Sequence, residues 1–134
     1  MSRLMSVSMT DQAVVERRKT VTRRKGWWVD KNGRRLLHPG DHLTLCRKVM
    51  GRKPGEPLVK LAEVEVVSVR REPLFYVVRR GELEAEGLPN MDAHDFMDEF
   101  FVKAQGIQKA DDVTRIEWRY VCGSGFCECG GCVL

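Results

Sequence analysis

Arg17-Arg18-Lys19-Thr20-Val21-Thr22-Arg23-Arg24-Lys25-Gly26-Trp27-Trp28 gathers cations, hydroxyls and aromatics where the chain changes from helical to strand-like composition. Upstream, residues 10–16 (TDQAVVE) offer a threonine suited to capping, an acid in the first turn and a small apolar stripe, which together predict a short helix. The β-branched Thr-Val-Thr run then favours extended backbone. Lys19 therefore falls at a helix-to-strand junction, with Thr22 three residues on in the strand. Such a junction can place both side chains in one cleft although plain strand alternation would put them on opposite faces.

A chain of 134 residues reads as one domain, long enough to bury a core without staples. Its hydrophobic share of 43% and charged share of 31% are those of a soluble globular protein. No uncharged apolar run approaches the roughly 18 residues of a membrane span, and residues 1–9 lack a continuous apolar region, so a cytoplasmic location is expected. The net charge of +4 hides an asymmetry. Residues 1–53 hold 14 lysines and arginines against 4 acids, whereas residues 54–134 hold 9 against 15. Cations with tryptophans beside them, here Arg18, Arg23, Arg24, Lys25, Trp27 and Trp28, match an electrostatic footprint for phosphates with stacking surfaces for bases. The plainer alternative is that the cations solvate a surface and the tryptophans belong to the core.

The rest of the chain alternates turns with short elements. Residues 3–8 read as a first strand, and Asn32-Gly33 is the strongest hairpin signal. The turn at residues 38–41 leads into a strand carrying Leu43 and Leu45, after which residues 51–57 form a Gly/Pro loop. Residues 58–69 read as a long strand, with Val59, Leu61, Glu63, Glu65, Val67 and Val69 on one face and Ala62, Val64 and Val66 on the other. Glu72-Pro73 is expected to break it. A helix follows over residues 77–86, stopped by Gly87 and Pro89, and another over residues 91–105, capped by Asn90 or Asp92. On the latter, Phe96, Met97, Phe100, Phe101 and Ala104 recur at helical spacing and read as core. Residues 114–121 alternate strictly, as a strand does. Strands dispersed around two or three short helices, without a βαβ repeat, predict an α+β fold with the strands curled into a small barrel.

The order of these pieces resembles the ASCH domain family of the PUA-like superfamily. The matching features are RKTVTRR at residues 17–23, HPGDHLTL at 38–45, VEVVSVR at 64–70, Glu86-Gly87, and VTRIEWRY at 113–120. The likeness is strongest to small stand-alone members from bacteria and their phages. It implies a PUA-like domain over residues 1–121 with an RNA-associated role, since some members bind RNA or modified bases and others cleave RNA. One branch hydrolyses the acetyl amide of N4-acetylcytidine with a lysine, a threonine and a glutamate, which fall here on Lys19, Thr22 and Glu86. That activity needs no cofactor. The expected partner is RNA or a modified nucleoside, bound in a basic cleft; the alternative is a nucleoside amidohydrolase or ribonuclease. The tryptophan pair, the 51–57 loop and the C-terminal tail depart from that branch's compact pattern.

The chemistry asks for these residue types. A threonine hydroxyl is a poor nucleophile until a base takes its proton, and a lysine is a base near neutral pH only where desolvation or adjacent cations depress its pKa. A glutamate beside it orients the lysine or passes a proton to the leaving amine. The alternative is an ordinary Lys19–Glu86 ion pair, with Thr22 chosen for β propensity. Residues 122–134 form a Gly-rich tail in which Cys122, Cys127, Cys129 and Cys132 are spaced C-x4-C-x-C-x2-C. Four thiols in a cytoplasmic chain point to metal before disulfide, with structural zinc preferred; an iron–sulfur or copper(I) site and a metal-free tail are the alternatives. Cys46, alone in a strand, reads as a small core residue.

Overall fold

The computed structural model describes residues 3–121. Cys122, Cys127, Cys129 and Cys132 lie outside the described residues. Five strands form one sheet: β1 (Arg3–Ser6), β2 (Val21–Arg24), β3 (His42–Cys46), β4 (Lys60–Pro73) and β5 (Asp112–Tyr120). Their lateral order is β1-β3-β4-β5-β2, with β1 parallel to β3 and every other neighbour antiparallel. Although β1 and β2 are the two edges, Arg24 Nη2 on β2 donates to the backbone oxygen of Ser6 at the end of β1, at 2.7 Å. The sheet is thus curled into a half-barrel whose edges approach one another, the α+β architecture of a PUA-like domain.

The alternating run near the C-terminus forms β5, as its pattern requires. β4 departs from its prediction in two ways. It continues past residue 69 to Pro73, with Glu72 and Pro73 still paired to Val113 and Asp112. It also carries a bulge: Val66 faces Trp118, Ser68 faces Glu117, and Val67 is left over. Counting every second residue straight through therefore fails at this point. Val67 is exposed, whereas Val69 packs against the same core as Val64 and Val66.

The helices are shorter than the sequence pattern suggests. A 3-10 turn, Ser8–Thr10, leads into α1 (Asp11–Val15), where Thr10 makes no side-chain cap bond. α2 (Tyr76–Arg80) replaces the helix expected over residues 77–86, because Gly81 at φ 62° adopts the left-handed conformation that closes a helix. α3 (Ala93–Met97) begins where Asp92 accepts hydrogen bonds from the N–H groups of His94 and Asp95. It then widens into a π-helix, Asp98–Lys103, so the expected single helix over residues 91–105 is two coaxial forms.

Two apolar clusters result. One lines the concave sheet, with Met5, Leu43, Leu45, Val64, Ile116 and Trp118 among its buried members. The other lies under the helices and holds Leu74, Val77, Phe96, Met97, Phe101 and Val113. No helix among the described residues is long and apolar enough to cross a membrane.

Candidate functional site

The chain between α1 and β2 sets Lys19. Arg17 takes a left-handed conformation, φ 60°, and turns the backbone so that the N–H groups of Arg18 and Lys19 both reach the Ala13 carbonyl. From the other side, the Lys19 carbonyl accepts hydrogen bonds from Trp118 Nε1 and the Tyr120 hydroxyl. The N–H groups of Thr20 and Val21 bond the Ala85 carbonyl, which draws the following Glu86-Gly87 step against β2. Gly87 has φ +93°, and a Cβ there would sit 2.9 Å from Ala13 Cβ and 3.4 Å from Lys19 Cβ. Only a residue without a side chain lets the backbone come this close.

Lys19 Nζ consequently donates to the Glu86 carbonyl oxygen at 2.6 Å and lies 3.5 Å from Glu86 Oε1. Both residues are buried, with relative exposures of 3% and 2%. Burial strips the ammonium of water and pulls its pKa down to about 8, against the attraction of Glu86 and with help from Arg24 and Arg23. Thr22, also buried, accepts a hydrogen bond on Oγ1 from Arg24 Nε at 3.2 Å. Lys19, Thr22 and Glu86 all line one cleft of about 540 Å³, within the roughly 300–1,000 Å³ of small-molecule sites. No hydrogen bond joins Lys19 Nζ to Thr22 Oγ1 among the described residues; they share the cleft rather than a direct bond.

The arginines divide by strand alternation. In the β2–β5 ladder Thr22 faces Ile116 and Arg24 faces Thr114, while Arg23 faces Arg115. Facing residues share a side of the sheet, so Arg23 points away from Thr22 and Arg24. Arg23 is fully buried. Its Nη1 donates to Glu86 Oε2 at 2.7 Å, and its Nη2 to Glu72 Oε2 at 3.0 Å and Glu82 Oε1 at 2.5 Å. Arg23 too lines the cleft, with its charge shared among three carboxylates. The network extends from Glu82 to Arg115 and from Glu72 to Arg70 and Arg80. Burial alone would raise the Glu82 carboxyl, but hydrogen bonds from Arg115 and Arg23 hold it at about 2.

The other expected nucleic-acid contacts lie outside the cleft. Arg18 is exposed and paired with Glu16, and Lys25 is exposed. Trp27, at φ 68°, packs against the concave-sheet cluster, and Trp28 lies under the Arg35 guanidinium, 3.6 Å from ring centroid to Cζ. Phe96 and Phe101 are buried in the core, as their spacing predicts, and Phe100 packs against them. Phe96, Phe100 and Phe101, read as core, also line the cleft.

No protein-family model matches this sequence, and no curated protein matches it. Solved structures do resemble the fold. Protein EF3133 from Enterococcus faecalis V583, of the family DUF984, aligns with a TM-score of 0.64 at 16% identity, over 90% of this chain and 80% of that one. The ASCH domain from Lactobacillus crispatus JV V101 gives 0.58 at 12% identity, over 89% and 79%. The hypothetical protein PH0355 gives 0.54 at 16% identity, over 90% and 100%. The fold is therefore ASCH-like.

Proposed function

We propose that this protein takes up one base of single-stranded RNA, or one modified nucleoside, in the cleft bounded by Lys19, Thr22, Arg24 and Glu86. The observation that carries this reading is the convergence on one cleft of Lys19 and Thr22, from around the start of β2, with Glu86 from a distant part of the chain. The cleft's size suits a single base, and its walls combine aromatic rings with fixed polar groups, as nucleobase sites do. Short single-stranded RNA and N4-acetylcytidine are the ligands for a binding titration. Binding that weakens with salt for the RNA, and is lost in Lys19→Met for both, supports it. Equal binding by wild type and Lys19→Met overturns it.

A second reading, hydrolysis of an amide on the bound base, is favoured by the Lys19 pKa of about 8. About a tenth of the lysine is then neutral at pH 7, against roughly one part in three thousand for an ordinary lysine. In this reading neutral Lys19 takes the Thr22 proton, Thr22 Oγ1 attacks the acyl carbon, and the departing amine takes the proton back from Lys19. Water then cleaves the threonine ester. Arg24 Nε, already bonded to Thr22 Oγ1, stabilises the developing negative charge. Unchanged N4-acetylcytidine mass and intact RNA after incubation remove the hydrolytic reading and leave the binding one. For the tail we propose a structural zinc on Cys122, Cys127, Cys129 and Cys132, with the preceding domain closing at about residue 121.

A further inference from the structure

The walls of the cleft differ in chemistry. One is apolar: Leu88, Phe96 and Phe100 line it, and the two rings meet edge to face with centroids 5.5 Å apart. A second holds Lys19 against Glu86, opposite charges in contact. The third is Arg24, half-buried, and it is unlike the buried cations around it. Arg23 is shared among three glutamates and Arg115 between two, whereas Arg24 forms no ion pair among the described residues. Both groups it does bond, Thr22 Oγ1 and the Ser6 carbonyl, are neutral.

Its Nη1 has no protein acceptor among the described residues, and the only sealed-off side-chain nitrogen or oxygen lacking one there is Arg23 Nε. Arg24 Nη1 is accordingly not sealed from solvent, and Arg24 lines the cleft. The carboxylates on the cleft do not compete for it. Glu86 is held by Arg23 and Lys19, and Glu99 by Lys103 at 2.8 Å. A guanidinium largely withdrawn from water, with no counter-charge, is an unfavourable arrangement that an arriving anion relieves. Desolvation accordingly lowers its pKa, opposed by Glu86 at a distance.

We propose that Arg24 is an anion subsite and that the ligand is a nucleotide rather than a nucleoside, its phosphate on the Arg24 fork and its base against the Phe96–Phe100 wall. This rests on the base-binding reading of the cleft and adds the group that anchors the ligand. The planar fork presents parallel N–H donors that match phosphate oxygens, which a point charge such as Lys19 does not. The base then lies between the aromatic wall and Lys19, with its exocyclic group toward Thr22.

The test is calorimetric titration of the full chain with the four ribonucleosides, their 5′-monophosphates and inorganic phosphate, using wild type, Arg24→Met and Arg24→Lys. For at least one base, wild type is expected to prefer the monophosphate over the nucleoside by about tenfold or more. Arg24→Met erases that preference, the monophosphate losing more affinity than the nucleoside, while Arg24→Lys keeps part of it. Thermal melts show which variants are folded, and Arg24→Lys serves if Arg24→Met is not. Equal affinity of wild type for nucleoside and monophosphate overturns the subsite and leaves the base-binding reading standing, as does a preference that survives in Arg24→Met. Phosphate binding that depends on Arg24, without any nucleoside or nucleotide binding, upholds the subsite and sinks the base reading. If none of the probes binds, both fall.

Discussion

Lys19 offers a measurement that needs no ligand. Its pKa of about 8, against the ordinary 10.5, arises first from burial, with Glu86 opposing and Arg24 and Arg23 assisting. Between those two values the folded chain binds fewer protons than the unfolded chain, so stability rises with pH across the window. A single group contributes at most about 1.4 kcal/mol per pH unit. Integrating one group that titrates near 8 when folded and near 10.5 when unfolded gives about 2 kcal/mol of added stability between roughly pH 7 and pH 9.5. Tyr120 works in the opposite sense. Burial raises its phenol above the ordinary 10, so its contribution is lost as pH climbs beyond that value, and the scan stops short of it. Urea unfolding of wild type and Lys19→Met at closely spaced pH values isolates the lysine, because all other groups appear in both curves. The wild-type-minus-variant difference is expected to climb by about 2 kcal/mol over the interval. A difference that stays flat or falls refutes a buried, depressed ammonium and removes the base from the hydrolytic reading.

Three further outcomes follow from the same geometry. Gly87→Ala combines a φ of +93° with a Cβ 2.9 Å from Ala13 Cβ; it is expected to lower stability by more than about 1 kcal/mol and the melting temperature by at least about 3 °C, and an unchanged melt contradicts the close approach. Arg23→Met leaves buried Glu72 and Glu86 and half-buried Glu82 without their shared cation and is expected to cost about 3–5 kcal/mol in urea unfolding, whereas a loss below about 1 kcal/mol shows that the network contributes little. Replacing Cys127 and Cys129 by serine is expected to abolish bound zinc in elemental analysis; equal metal content in both proteins, or none in wild type, excludes the zinc site.

Much of the fold was legible because local chemistry and tertiary demand agree in β5, in the β-branched start of β2 and in the Asp92 cap. Where they part, the sequence misleads for identifiable reasons. Gly81 inside the expected 77–86 helix is itself a stop signal, and its left-handed backbone closes α2 well before Gly87. The bulge at Val67 reverses a face without any change in residue type, so parity counting cannot detect it. Over the six residues of the π-helix, one residue per turn of difference is invisible to apolar spacing. That Lys19, Thr22 and Glu86 share a cleft is legible only through family likeness, since nothing local announces that Glu86 returns to β2. The division between Arg23 and Arg24, by contrast, was readable: neighbours in a strand face opposite ways, so only one of them shares a side with Thr22. What no local rule supplies is that Glu72, Glu82 and Glu86 all gather on Arg23.

The margins of the half-barrel are each only four residues long, and both carry an arginine not fully buried, Arg3 on one and Arg24 on the other. A neighbouring molecule that tried to extend the sheet would find few unpaired peptide groups, flanked by charge. Strand addition at either margin is thereby disfavoured.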